Sequence, residues 1–207
     1  MAARGLSFFF DFASPYAYLA FDEVLRIGAE AGLPVTLRPA MVWAILKAQG
    51  IPPPMETETR RRYMRSDMER SAAFFGLPYR QPDPLPMSAH LALRMWIGFV
   101  GEQPDPPVDL IRALFRARFA QGLDLRDPAV LATIALDAGY DPDSAARFME
   151  DAGCRDQLRQ HIDDAVALGV PGVPCVVLGQ ELFFGADRLP QLRWRLGLAQ
   201  REPSAAS

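Results

Sequence analysis

The residue with the most chemical promise is Ser14, in the run Asp11-Phe-Ala-Ser14-Pro15-Tyr16-Ala17. A short apolar strand leads into it, and Ser-Pro is a helix start, with serine as N-cap and proline at the first helical position. A hydroxyl there lies beside the free N–H groups and the positive dipole end of the helix, where negative charge is stabilised. Ser14 can act purely as a cap, or it can donate a hydrogen bond to a bound thiolate. An ordinary thiol has a pKa of about 8.5, so each unit of lowering helps keep it ionised at neutral pH. Two cysteines at the first and fourth places of such a junction would exchange disulfides; Ser14 and Ala17 stand there, and that chemistry is excluded at this junction. The second constellation is Gly169-Val-Pro171-Gly-Val173-Pro174-Cys175. A Val-Pro step at the head of a strand suits a cis proline, and the residue before it can offer its N–H and C=O to an extended peptide. The third is Phe183-Phe-Gly-Ala186-Asp187-Arg188-Leu189, where N–H groups at a helix start suit a carboxylate and the aspartate suits an α-ammonium, unless Asp187 merely caps the helix. Glutathione offers a thiol, an extended backbone and a γ-glutamyl end, one for each constellation.

These groups need elements to hold them. Leu6 to Asp11 reads as a buried strand, and a helix runs from Pro15 to about Ala31, stopping at Gly32. Pro34 to Pro39 reads as a second strand, and a helix-linked pair of this length implies parallel strands. From about Met41 to Leu168 the pattern is helical: Thr59–Phe75, Ser88–Val100, Val108–Gln121, Pro128–Ala138, Pro142–Asp151 and Arg155–Leu168 carry apolar residues at three- and four-residue spacing. Gly76, Gly122, Gly139 and Gly153 read as helix ends. After Gly169 a hairpin follows, Val173–Leu178 and Glu181–Phe184 across Gly179-Gln180, then a helix from Asp187 to about Leu196 with Asp187 as its cap. The order is βαβ, a helical block, then ββα: an α/β chain with a thioredoxin-like core, residues 1–40 and 169–198, split by an all-helical insertion, 41–168. Residues 199–207 read as a disordered tail.

Composition closes off several classes. With 207 residues and a net charge of -3, the chain has no basic surface for nucleic acid. No apolar run is long enough to span a membrane, and the N-terminal run is too short for a secretion signal. Cys154 and Cys175 are therefore expected as free thiols in a reducing cytoplasm, Cys175 buried and pointing away from the ligand. His90 and His161 have no metal-ligand spacing, so no metal is expected, and neither is given a role. Lys47 is the single lysine beside twenty-one arginines.

Taken together, Phe9-Phe-Asp-Phe-Ala-Ser14-Pro-Tyr-Ala-Tyr-Leu-Ala20, Gly172-Val-Pro174 and Phe184-Gly-Ala-Asp187-Arg-Leu189 resemble the 2-hydroxychromene-2-carboxylate isomerases, close to the kappa-class glutathione transferases and the DsbA-like proteins. The resemblance covers roughly residues 6 to 197. It implies a homodimer that binds glutathione, uses Ser14 on its sulfur and acts on a small aromatic substrate. Val173 and Pro174 would then meet the tripeptide backbone, Ala186 and Asp187 its γ-glutamyl end, and Lys47, unless simply a solvated helix lysine, its glycyl carboxylate. Tyr16, Trp43, Tyr63 and Phe74 are candidate pocket walls, with Arg61 or Arg65 anchoring a substrate carboxylate. The chain departs from the family pattern at Pro171, Cys175, Ser88 and Gly50-Ile51, which bears on substrate choice. The implied reaction is isomerisation of 2-hydroxychromene-2-carboxylate. The alternatives are glutathione transfer to other electrophiles and a non-catalytic thioredoxin-fold binding module.

Overall fold

The computed structural model describes residues 5–52, 55, 57–83, 87–102 and 105–200. Strand β1, Leu6–Phe10, lies inside a four-stranded sheet of order β2-β1-β3-β4, which explains its unbroken apolar run. Leu6, Phe8 and Phe10 face the larger core, while Phe9 faces a smaller one with Ala40, Ile45, Val173, Cys175 and Val177. Helix α1, Pro15–Ala31, follows, and Gly32 ends it at φ 64, where a side chain would be strained. Strand β2, Val35–Pro39, pairs parallel with β1. Strands β3, Cys175–Leu178, and β4, Glu181–Phe184, form an antiparallel hairpin that docks antiparallel on the other side of β1.

Between the two halves of the sheet lie α2 (Val42–Ala48), α3 (Glu58–Phe75), α4 (His90–Glu102), α5 (Val108–Phe119), α6 (Pro128–Asp137), α7 (Pro142–Glu150) and α8 (Ala152–Ala167). Most ends shift from the sequence reading by one or two residues, the first hairpin strand starting at Cys175 and not Val173, and two boundaries differ for a reason visible in the capping. Gly153 falls inside α8: the Asp151 carboxylate accepts the Cys154 N–H at 2.7 Å, so one residue closes α7 and caps α8. The last helix begins later than Asp187. Ala186–Arg188 is a short 3-10 turn in which Asp187 makes no capping bond, and α9 is Leu189–Arg195, its start set by Pro190 in the first turn.

Helical block and sheet share one core. Phe115 of α5 packs edge-on to Phe10 and Phe12, and Trp96 of α4 packs edge-on to Phe10. The tail expected to begin at Ala199 starts in contact: Arg193 donates to the Ala199 carbonyl at 2.7 Å, and Gln200 to that of Pro190. Residues 201–207 lie outside the described residues.

Candidate active site

Ser14 sits at the mouth of α1 with extended backbone, and its Oγ accepts the Ala17 N–H at 3.2 Å, the N-cap bond. The same oxygen donates to the carbonyl of Val173 at 3.3 Å, and the Val173-Pro174 peptide is cis. That bond is long for an O–H···O pair, so its proton is weakly held. Among the described residues, the Val173 N–H has no backbone partner. Ser14 itself is buried, and its hydroxyl faces the proline loop.

The turn before Ser14 is organised by Asp11. This carboxylate is 1% exposed between Phe10 and Phe12. One oxygen accepts the Ala13 N–H at 3.0 Å and the other the Val42 N–H at 2.9 Å, while the Asp11 carbonyl accepts the Ser14 N–H at 3.0 Å. Asp11 thus ties the Ser14 turn to the first residue of α2, whose own N-cap, Met41, supplies no side-chain bond. Burial raises its pKa to about 6 against the lowering by both N–H bonds.

From the proline loop a cleft of about 1070 Å³ runs between α1, α3 and the turn into α9. Val173, Pro174, Gly185, Ala186 and Asp187 line one end; Tyr16, Tyr63, Phe74 and Phe184 supply aromatic walls. Tyr16 donates its phenolic hydrogen to Asp67 of α3 at 2.7 Å. The cleft's cations are paired: Arg26 with Glu23, Arg188 with Asp187 at 3.2 Å, and Arg193 with Glu23 and Glu30 at 3.1 and 2.5 Å.

This geometry can be set beside known proteins. The family model for the DSBA-like thioredoxin domain matches residues 5–197. The chain belongs to that family. It is 27% identical over 190 residues to a 2-hydroxychromene-2-carboxylate isomerase of Sphingobium xenophagum, covering 90% of this chain and 94% of the relative. To glutathione S-transferase kappa 2 of Caenorhabditis elegans it is 25% identical over 200 residues, covering 90% and 89%. The solved structure of a 2-hydroxychromene-2-carboxylate isomerase superposes with a TM-score of 0.81 at 24% identity, over 93% of this chain and 94% of that one.

This DSBA-like domain brings Tyr16, Tyr63, Phe74, Val173, Pro174, Ala186 and Asp187 to one cleft, with Ser14 directly behind Val173. It does not bring the remaining candidates to the cleft lining. The Trp43 indole donates to the Met87 carbonyl at 2.9 Å and fastens α2 to the chain before α4. Arg61 binds Glu58 at 3.0 Å and the Met55 carbonyl, within its own end of α3, and Arg65 is exposed. Lys47 is exposed on α2. Cys154 and Cys175 are buried free thiols, and burial pushes Cys175 up to about 12, so neither is a ready nucleophile. Asp11 and Asp67 were missed. A lone carboxylate between two core phenylalanines is a readable signal for Asp11, since buried charge needs partners. Asp67 gave none: it is an ordinary polar position of α3 until that helix meets α1. Among the described residues no helix is long and apolar enough to cross a membrane, and no His, Cys, Asp and Glu cluster could hold a metal.

Proposed function

We propose that this chain is a glutathione-dependent enzyme that isomerises 2-hydroxychromene-2-carboxylate to trans-o-hydroxybenzylidenepyruvate. The observation that carries this reading is the Ser14 hydroxyl, 3.3 Å from the carbonyl before cis-Pro174 at the end of an aromatic cleft. Glutathione's cysteinyl residue pairs with the Val173 backbone, and its γ-glutamyl end meets Ala186 and Asp187. Asp187 exchanges its exposed Arg188 partner for the ligand's ammonium. The glycyl carboxylate turns toward Lys47, an assignment that rests on the family resemblance. Once the ligand approaches, Ser14 moves its single proton from the Val173 carbonyl to the sulfur, stabilising the thiolate together with the N–H groups of α1.

Ring opening of the hemiketal breaks its ring C–O bond: the hydroxyl loses its proton as its oxygen becomes the ketone, the C–O electron pair leaves on the aryl oxygen, and that oxygen takes up the proton as a phenol, giving a cis enone. The thiolate forms a C–S bond at the β-carbon, and the alkene electron pair moves to the carbonyl oxygen as an enolate. The former double bond is now single and rotates. The enolate then re-forms the alkene as trans and expels the thiolate, so glutathione is regenerated. The homodimer is proposed with the same family reading.

A second reading, glutathione transfer to an electrophile, is favoured by the standing ion pairs of Arg26 and Arg193, which leave Arg188, released when Asp187 takes the ammonium, as the one described cleft-lining arginine that can meet the chromene's carboxylate. Incubation with glutathione and either the chromene or 1-chloro-2,4-dinitrobenzene separates the two: net glutathione consumption marks the transferase. In either case Ser14→Ala is expected to lower kcat/KM by more than about 10-fold, roughly 1.4 kcal/mol of transition-state stabilisation. A smaller loss removes Ser14 from the mechanism, and calorimetry without glutathione binding removes the whole reading.

A further inference from the structure

Tyr16 lies two residues beyond Ser14, in the first turn of α1, and lines the cleft. A phenol carries one hydrogen and can donate once; a carboxylate only accepts. The 2.7 Å bond to Asp67 therefore consumes the sole donor of Tyr16. Asp67 is itself held, its other oxygen taking Arg70 at 2.5 Å. Burial, and next the bond to Asp67, raises the phenol's pKa, so it stays neutral and cannot act as a base. What remains toward the cleft is oxygen lone pairs.

We propose that Asp67 is a positioning residue that locks Tyr16 as a one-way hydrogen-bond acceptor, and that the cleft thereby selects electrophiles bearing a hydroxyl or N–H donor beside the reacting conjugated system. The proposal deepens the glutathione reading and rests on it. A ligand donor gains a bond at Tyr16. An analogue without one leaves the oxygen unpaired in a partly buried site, which costs binding.

The test uses the purified protein with glutathione and the cis forms of two neutral enones, 4-phenyl-3-buten-2-one and its ortho-hydroxy counterpart, with turnover read as conversion to the trans enone plus any glutathione adduct. The quantity read is the ratio of kcat/KM for the hydroxylated enone to that for the parent. Comparing this ratio between wild type and variants cancels the intrinsic reactivity of the two compounds. Tyr16→Phe is expected to lower the ratio by about 5- to 10-fold, the worth of one neutral hydrogen bond, with KM for glutathione unchanged. Asp67→Ala frees the phenol to donate and is expected to lower the ratio in the same direction. If Asp67 only packs α3 on α1, its removal changes the melting temperature and both enones equally and leaves the ratio intact, which overturns the proposal. Wild type that binds glutathione but turns over neither enone, or keeps its ratio in Tyr16→Phe, overturns it too and leaves glutathione binding standing. Absence of glutathione binding to wild type removes the underlying reading, and this one with it.

Discussion

Asp11 combines two demands that normally conflict. Its carboxylate must accept from Ala13 and Val42 to hold the turn before Ser14, yet it does so fully buried. Burial wins, and the pKa rises from 3.8 to about 6. The folded state thus binds the proton more tightly than the unfolded chain. Asp11's contribution to stability is full below pH about 4 and is lost as pH rises through about 6. Two pKa units correspond to at most about 3 kcal/mol. Asp11→Asn abolishes this titration, so urea unfolding from pH 4 to 7.5 is expected to show the stability of wild type relative to Asp11→Asn falling by up to ~3 kcal/mol. A difference that stays flat across that range would show that Asp11 does not titrate there. The turn before Ser14 is therefore held at a stability cost that grows toward neutral pH.

At the scale of elements, close approach is set by single small residues. Gly98 of α4 faces Phe148 of α7, and a Cβ there would come within 2.1 Å of the ring. In an open helix, Gly→Ala gains about 1 kcal/mol from propensity. Here it forces the α4–α7 contact apart, and Gly98→Ala is expected to lose about 1–3 kcal/mol in chemical denaturation. A gain would mean that Phe148 moves aside freely. Contacts of this kind explain what the sequence could and could not tell. Helix α1 is legible because Ser14-Pro15 and Gly32 write its ends in local backbone chemistry. For the same reason Ser14, Val173, Pro174, Ala186 and Asp187 stand out in the sequence as junction residues, and the fold gathers the last four at one cleft with Ser14 bonded to Val173. The start of α8 was not, since Asp151 serves two helices and Gly153 looks like a stop. Nor was Asp67, whose meaning arises only when α3 folds across Tyr16. Trp43 looked like a pocket wall because sequence cannot say that its N–H is spent on Met87.

The whole molecule is held together by one aromatic junction more than by any boundary in the chain. Phe115 of α5 lies 6.2 Å from Phe10 and 5.1 Å from Phe12, and it also meets Tyr18 and Phe21 of α1 at 6.1 and 5.8 Å, centroid to centroid. The helical insertion therefore completes the core beneath the very strand and helix that carry Ser14. A shared core of this kind couples the two halves energetically, because neither can open without exposing the rings of the other. Phe115→Ala leaves a cavity at the junction and is expected to cost about 3–5 kcal/mol. The loss should appear as one transition, coincident by far-UV circular dichroism and by the fluorescence of Trp96, buried in α4 against Phe10, read in a background where Trp43 and Trp194 are replaced by Phe. If the insertion were an independent unit, the helical signal would survive while the sheet side melted, and the two probes would separate. Coincident transitions shifted together by the one substitution would mean that the cleft's geometry is set by the stability of the entire chain. On that account, substitutions deep in α4 or α5, far from any ligand, are expected to weaken the hold on the Ser14 turn.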